Sequence, residues 1–196
     1  MSGQNVIPLQ TNRRTRSAVV EDGTIGMLAF VFVEAMMFAG LMSAFVIARA
    51  TAGGAWPPAG QPRLPFEETA INTVALLASG AVVFLASRTW EKQGTRTGPL
   101  LLAAIGLGAF FVFFQGIEWI ALIRQGLTLT SSQHGSFFYL IVGMHGAHAL
   151  GALVFMGVAW LRLQQGTLSN SAFSAARVLW YFVVAVWPVL YFTLYL

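Results

Sequence analysis

The stretch IGMLAFVFVEAMMFAGLMSAFVIA, residues 25–48, decides the fold class of this chain. Its only charged side chain is Glu34, and the other positions are apolar or small. About 20 such residues form a helix long enough to cross the hydrocarbon core of a bilayer. Four further apolar runs follow, at residues 70–86, 100–123, 137–161 and 178–196. The sequence therefore predicts an all-α membrane protein built as a bundle of five transmembrane helices.

The composition of the whole chain excludes a water-soluble globule. Of its 196 residues, 57% are hydrophobic and only 9% are charged, against roughly 25% charged residues in a typical soluble domain. There is no cysteine, so neither a disulfide framework nor a reactive or metal-binding thiolate is available. The formal net charge is +4, but the basic residues lie between the apolar runs. Basic residues in loops between membrane spans are explained by the orientation of the protein in the membrane, so they do not indicate nucleic acid as a partner.

The distribution of basic residues predicts the orientation in the membrane. The N-terminal segment 1–24 and the loops 87–99 and 162–177 carry eight of the 11 Lys and Arg residues (three, three and two). The other three are Arg49, Arg63 and Arg124. Because positively charged loops stay inside, segment 1–24 is expected to be cytoplasmic and the transmembrane domain, 25–196, to end outside. The first apolar run begins too far along the chain, and lacks a following small-residue cleavage site, for a signal peptide.

Small residues recur within the predicted helices. They are Gly40, Ser43 and Ala44, then Ala78, Ser79 and Gly80, and later Gly143, Gly146, Ala147 and Gly151. Small side chains let helix backbones approach closely in lipid, so one compact bundle is expected. No internal repeat is evident, and the inverted-repeat pattern of many transporters is therefore missing.

Glu34 is the first candidate functional residue. It lies nine residues into the first apolar run, roughly 14 Å deep at about 1.5 Å per residue, which is near the middle of the bilayer. An ionised carboxylate is costly there, so the side chain is expected to be protonated or hydrogen-bonded. Two interpretations stay open. Glu34 is either an acid that handles protons or contacts lipid, or a structural acid bonded to a neighbouring helix.

Glu118, His145 and His148 form a second candidate group. The third and fourth predicted helices are antiparallel neighbours, so their ends at the shared loop are level. Counted from that loop, Glu118 is about 9 Å deep and His145 about 14 Å deep. A hydrogen bond between Glu118 and either histidine is therefore expected. The group is interpreted as a structural polar network that ties helices together, with a proton relay as the alternative.

The same histidines are poor candidates for a redox centre. His145 and His148 share one helix face, whereas a haem clamped between two helices needs a histidine from each. The third histidine, His134, falls in a predicted loop. A di-iron site of the four-helix type needs about four carboxylates, and the predicted helices supply two. A membrane serine protease would rest on Ser79-Gly80 and these histidines, but close helix packing explains that pair more simply.

The order of the local motifs resembles that of one known family. Five pieces carry the resemblance, in the same order and at similar spacing, from about residue 24 onward. They are Glu34 with a following apolar run and Gly40, Trp56-Pro57-Pro58-Ala59-Gly60, Asn72-Thr73 with Leu76-Leu77-Ala78-Ser79-Gly80, Gln115-Gly116-Ile117-Glu118-Trp119, and Gly135-Ser136-Phe137-Phe138 with Gly143-Met144-His145-Gly146-Ala147-His148. This pattern is similar to subunit III of haem-copper terminal oxidases, the cytochrome c oxidase subunit 3 family and its quinol-oxidase counterparts.

Two departures from the family pattern are visible. The larger members have seven helices, so this chain resembles the short five-helix bacterial form. In the last helix, Tyr181 and Val184 stand where the family usually has a histidine and an aspartate. No polar network of the last helix is therefore carried over to this chain.

The resemblance implies a non-catalytic subunit of a multi-pass complex in the bacterial cytoplasmic (inner) membrane. Haem and copper would lie in the partner catalytic subunits and none would be bound by this chain. Oxidase subunit I would be the main contact, with subunit II and smaller subunits in a hetero-oligomer that can enter a respiratory supercomplex. The implied roles are stabilising the catalytic subunit, sustaining its proton uptake and binding phospholipid. Glu34 matches the family's intramembrane glutamate.

Two other functions remain alternatives. One is the related subunit III-like component of nitric oxide reductases. The Trp56-Pro57-Pro58 loop favours the oxidases over this alternative. The other is a stand-alone small membrane transporter. A transporter would move its substrate in liposomes without partner subunits, and that observation separates the two classes.

Overall fold

The computed structural model describes residues 22–53, 56–58, 60–92 and 96–195. Within these ranges it contains no strand and five α-helices, which are α1 Asp22–Thr51, α2 Phe66–Glu91, α3 Thr97–Arg124, α4 Gln133–Gln164 and α5 Asn170–Tyr195. All five are long and apolar enough to cross a membrane, α1 from Gly23 onward. The predicted all-α membrane fold with five spanning helices is confirmed. The predicted segment 1–24 lies almost wholly outside the described residues.

Each helix extends beyond the apolar run that predicted it. α4 begins at Gln133, four residues before the predicted start at 137, and α5 begins at Asn170, eight residues before 178. Ser132 caps α4, because its hydroxyl oxygen accepts a hydrogen bond of 3.0 Å from the Gly135 N–H. Such caps satisfy free N–H groups of the first turn. Polar first turns therefore lengthen the helices beyond the part that lipid requires to be apolar.

The helices are arranged around α4 and α5. α2 packs mainly against α3 and also against α5, while α3 packs against α2 and α4. Among the described residues, α1 packs only on α5 and α4, and only 11% of its most apolar stretch is buried. α1 is thus attached to one side of the bundle and exposes most of its circumference.

Small residues of α2 and α3 leave space in the core for a large aromatic side chain of α5. Trp180 is fully buried and donates its indole N–H to Ser79 Oγ over 3.2 Å. Gly108 lies against the same indole ring, where a Cβ atom would collide with it. A Cβ atom on Gly80 would come within 2.9 Å of Val184 Cγ1. Close packing at small residues is therefore present here, and it accounts for the Ser79-Gly80 pair.

The outward faces of all five helices are apolar. The most exposed large side chains include one from each helix, between 64% and 69% exposed, and these are Phe32, Ile71, Phe113, Val154 and Phe192. Water would not support so much exposed apolar surface on a monomer. The chain is a multi-pass membrane protein, and lipid or apolar neighbours cover these faces.

Candidate intramembrane site

α1 and α4 bring Glu34 and His148 together in the middle of the bundle. His148 Nε2 lies 3.1 Å from Glu34 Oε2, and the two side chains are only 11% and 17% exposed. The other ring nitrogen, Nδ1, lies 2.7 Å from the Met144 carbonyl oxygen one turn earlier on α4. Because a carbonyl can only accept, that contact places the ring hydrogen on Nδ1. Nε2 then carries the lone pair of the ring, and it lies beside the carboxyl group of Glu34.

One proton between these two atoms gives two arrangements. Either Glu34 is a carboxylic acid that offers its O–H to Nε2, or Glu34 is a carboxylate beside an imidazolium ring. The pair carries no net charge in either arrangement, so neither leaves an uncompensated charge in the interior. The contact is a close approach of the two atoms and not an aligned N–H···O bond, and Oε2 has no further partner among the described residues. The arrangement can hold a proton and pass it between an acid and a base.

Aromatic rings surround His148 on its remaining sides. The centroids of the Phe30, Phe38 and Phe182 rings lie 6.2, 5.6 and 5.9 Å from the imidazole centroid. These rings come from α1 and α5 and supply no hydrogen-bond partner. In such an apolar shell, electrostatic attraction between an acid and a base is stronger than it is in water. The rings therefore favour keeping the proton between Glu34 and His148.

His145 occupies a different environment one turn away. It is 1% exposed, and neither ring nitrogen has a hydrogen-bond partner among the described residues. Its ring packs against Trp187 at a centroid distance of 5.0 Å and against Phe111 at 6.1 Å. His145 is therefore a buried packing residue at the junction of α3, α4 and α5.

Glu118 belongs to a separate polar cluster between α2, α3 and α5. Thr69 Oγ1 lies 3.0 Å from Glu118 Oε2 and 3.1 Å from Oε1, and the Gln115 amide donates to Oε2 over 2.9 Å. The same amide nitrogen lies 3.5 Å from the Tyr195 hydroxyl oxygen. Thr69 and Gln115 were not among the residues that the sequence singled out as candidates. The cluster ties three helices together near one end of the bundle.

The predicted hydrogen bond between Glu118 and His145 or His148 is wrong. Since α4 begins at Gln133, His145 lies about 18 Å along the helix from that end, deeper than expected, whereas Glu118 lies about 9 Å from Arg124. His145 is instead level with Phe111, two turns before Glu118 on α3. The two groups are thus separated along the membrane normal, and Glu118 faces α2.

Comparison with known proteins identifies the family. The sequence model of cytochrome c oxidase subunit III matches residues 4–196. Cytochrome c oxidase subunit 3 of Oncorhynchus mykiss is 36% identical over 179 residues, which cover 87% of this chain and 67% of that protein. The probable cytochrome c oxidase subunit 3 proteins of Mycobacterium leprae and Nocardia farcinica are 35% and 32% identical, over 88% of this chain and 86% of each relative. With a match that spans nearly its whole length, this chain belongs to the cytochrome c oxidase subunit III family.

Proposed function

We propose that this protein is the non-catalytic subunit III of a haem-copper terminal oxidase, an enzyme that reduces oxygen to water and pumps protons. The family match over residues 4–196 carries the proposal. As subunit III, the chain assembles with the other oxidase subunits, with subunit I as its main contact and subunit II in the same complex. Bacterial relatives, 86% of whose length aligns, support a place in a bacterial cytoplasmic membrane.

Within this complex, we assign Glu34 and His148 to the support of proton uptake by the catalytic subunit. The pair holds one exchangeable proton without net charge, which is what a local proton store in an apolar interior requires. α1 packs on only two helices of the bundle. Glu34 keeps 17% of its side chain exposed, so a neighbouring subunit or a lipid chain can approach it.

The outward apolar faces support two further roles, which are stabilisation of the catalytic subunit and phospholipid binding. A subunit that exposes Phe32 on α1 and Phe113 on α3 to about the same degree has apolar surface on several sides. One side can pack against a partner subunit while another holds lipid.

We propose that haem and copper belong to the partner subunits and not to this chain. His145 is enclosed by aromatic rings, and both nitrogens of His148 already face a carbonyl and a carboxyl group. Across the described ranges, no three His, Cys, Asp or Glu side chains lie together as a metal site requires. The Glu118 cluster and His145 have a structural role in the same proposal.

The proposal is tested by mild detergent extraction of the complex, with identification of the co-purifying chains and a haem spectrum. A haem-bearing catalytic subunit is expected to co-purify. Oxygen consumption is then followed over many turnovers, with and without this subunit. The stripped enzyme should start at a similar rate and lose activity sooner, and adding the subunit back should restore its durability. Isolation without any haem-bearing partner, or solute transport by the chain alone in liposomes, would contradict the proposal.

A further inference from the structure

Three buried polar side chains leave hydrogen-bonding atoms unused in the core of the bundle. They are Asn72 on α2, Gln115 on α3 and His145 on α4, and each is at most 5% exposed. The side-chain oxygens of Asn72 and Gln115 and both ring nitrogens of His145 have no hydrogen-bond partner among the described residues. Most buried polar atoms in proteins are hydrogen-bonded, so these four atoms require a physical explanation.

Phe111 on α3 is the common neighbour of the three side chains. The Asn72 amide nitrogen donates a hydrogen bond of 3.1 Å to the Phe111 carbonyl oxygen. Because a carbonyl can only accept, this bond leaves Asn72 Oδ1 as the unused atom. Gln115 follows Phe111 by one helical turn, so its backbone N–H points to the same carbonyl group. The His145 ring contacts the Phe111 ring at a centroid distance of 6.1 Å.

Trp187 on α5 shows how close His145 lies to α2. The indole ring packs on the imidazole at a centroid distance of 5.0 Å, with an angle of 31° between the ring planes. The indole nitrogen donates a hydrogen bond of 2.8 Å to Thr73 Oγ1, and Thr73 follows Asn72 directly in the chain. A single indole ring therefore spans the distance between His145 and α2 at the level of Asn72.

The rings around His145 do not complete its hydrogen bonding. A neutral imidazole has one N–H donor and one acceptor nitrogen, and its neighbours are the rings of Phe38, Phe111 and Trp187. An aromatic face accepts an N–H group only weakly, and the indole N–H of Trp187 is already donated to Thr73. The partner of His145 is therefore a small polar molecule inside the core.

The unused atoms are complementary to water. The two amide oxygens only accept hydrogen bonds, so they would repel an anion, whereas the imidazole offers one donor and one acceptor. A water molecule can donate two hydrogen bonds and accept two. Buried waters typically form about three hydrogen bonds to polar groups that are otherwise unpaired. One molecule can thus serve a ring nitrogen of His145 and both amide oxygens.

From these observations we infer that an ordered water is bound in the core between His145 on α4 and Asn72 Oδ1 on α2, with Gln115 Oε1 as its third partner. The side-chain hydrogen bonds described above connect α2 with α3 and with α5. The water adds α4, the helix that carries His148, to this hydrogen-bonded frame. The site rests on contacts within this chain and does not require the oxidase function.

A structure of the full chain at a resolution that shows ordered water tests the site directly. Crystals grown in a lipid mesophase or electron cryo-microscopy of the chain with its co-purifying subunits would serve equally. A density peak is expected within hydrogen-bond distance of a His145 nitrogen and of Asn72 Oδ1. The site is overturned if no peak lies beside His145, if the peak there does not reach Asn72 Oδ1, or if its contacts have the lengths of metal–ligand bonds.

Two variants test which side chains hold the water. His145→Phe keeps an aromatic ring in the core and removes both nitrogens, so the peak should disappear. Ser79→Ala is the matched control, because it removes a buried hydroxyl group of α2 that is already bonded to Trp180, and the peak should remain. Persistence of the peak in His145→Phe, or its loss in Ser79→Ala, would overturn the assignment.

A double-mutant cycle gives a second measurement that needs no density map. Asn72→Leu and His145→Phe are compared, singly and together, by the midpoint of unfolding in detergent. Either change alone already removes a partner of the water, so the shift of the midpoint in the double variant should be smaller than the sum of the two single shifts. Strict additivity would overturn the shared water.

Discussion

Trp180 on α5 donates its indole N–H to Ser79 Oγ on α2, and Ser79 in turn donates its hydroxyl hydrogen to the Leu76 carbonyl oxygen over 2.6 Å. Both side chains are buried, so water does not replace the interhelical bond. Ser79→Ala should keep the fold and lower the free energy of unfolding by about 1 kcal/mol. A double-mutant cycle with Trp180→Phe, followed by unfolding in detergent, should give a coupling of about 0.6 kcal/mol. Strict additivity of the two changes would show that the hydrogen bond contributes nothing.

Gly108 tests the packing under the same indole ring. A Cβ atom there would collide with Trp180, which is fully buried and has no room to move aside. Gly108→Ala should therefore lower the stability by about 1–3 kcal/mol, the usual cost of overpacking a core. Gly106→Ala is the matched control on the same helix, because nothing lies within 4 Å of the added atom. Equal unfolding temperatures for the two variants would contradict the packing described.

Glu34→Gln separates proton handling from packing. An amide can replace a neutral acid in most hydrogen bonds, so the complex should assemble and its initial rate of oxygen consumption should be close to wild type. If the pair supports proton uptake, activity over many turnovers should fall sooner than in wild type. Glu118→Gln is the control, since it alters a buried carboxyl group in the other cluster. A silent Glu34→Gln would leave only a structural role, and immediate complete loss in an assembled complex would mean a larger role than proposed.

A hydrophobic carbodiimide should react preferentially with Glu34. A protonated acid in an apolar interior can donate its proton to the reagent and become covalently trapped. The carboxyl groups of Glu67, Glu68 and Glu91 should react less, because they are exposed to water and a hydrophobic reagent concentrates in the membrane interior. His148→Leu should increase labelling of Glu34, since the carboxyl group then has no base to take its proton. Peptide mapping by mass spectrometry measures each site, and stronger labelling of the three exposed residues would refute the assignment.

The orientation in the membrane is open to direct measurement. The distribution of Lys and Arg, eight of 11 on one side, predicts an N-terminus in the cytoplasm and an external C-terminus. A reporter that is active only outside the cytoplasm, fused after Leu196, should be active. The same reporter in the loop after α2 should be inactive. Activity in the opposite pattern would invert the topology.

The five helices could be predicted from the sequence because the membrane sets one requirement on the composition of each. A spanning helix must be apolar over most of its length, so the five runs could be located without knowledge of their neighbours. The helix ends were less predictable, because caps such as Ser132 set them and hydropathy does not. That difference had a consequence for the site. With α4 beginning at Gln133, His145 lies about 18 Å from that end of the helix and not the expected 14 Å, which places it further from Glu118.

The partners of the intramembrane acids depend on packing that the sequence does not state. Glu118 faces α2, where Thr69 forms a hydrogen bond with it. The rotation of a helix about its own axis depends on contacts along its whole length, and this rotation decides which helix a given side chain faces. Glu34 and His148 lie on helices that are not consecutive, so no shared loop suggested the pair. Both residues do lie near the middle of their helices. Equal depth was therefore the one signal in the sequence that could have suggested it.

The packing of α1 on α4 and α5 has a consequence for synthesis. Among the described residues α1 packs on no other helix, and both of these helices are made after it, so α1 must wait in the bilayer for its partners. During that interval Glu34 lacks its contact with His148, and an ionised carboxylate in lipid is costly. Degradation or wrong pairing of the nascent chain is thus possible until α5 as well as α4 has been inserted, because α1 packs mainly on α5.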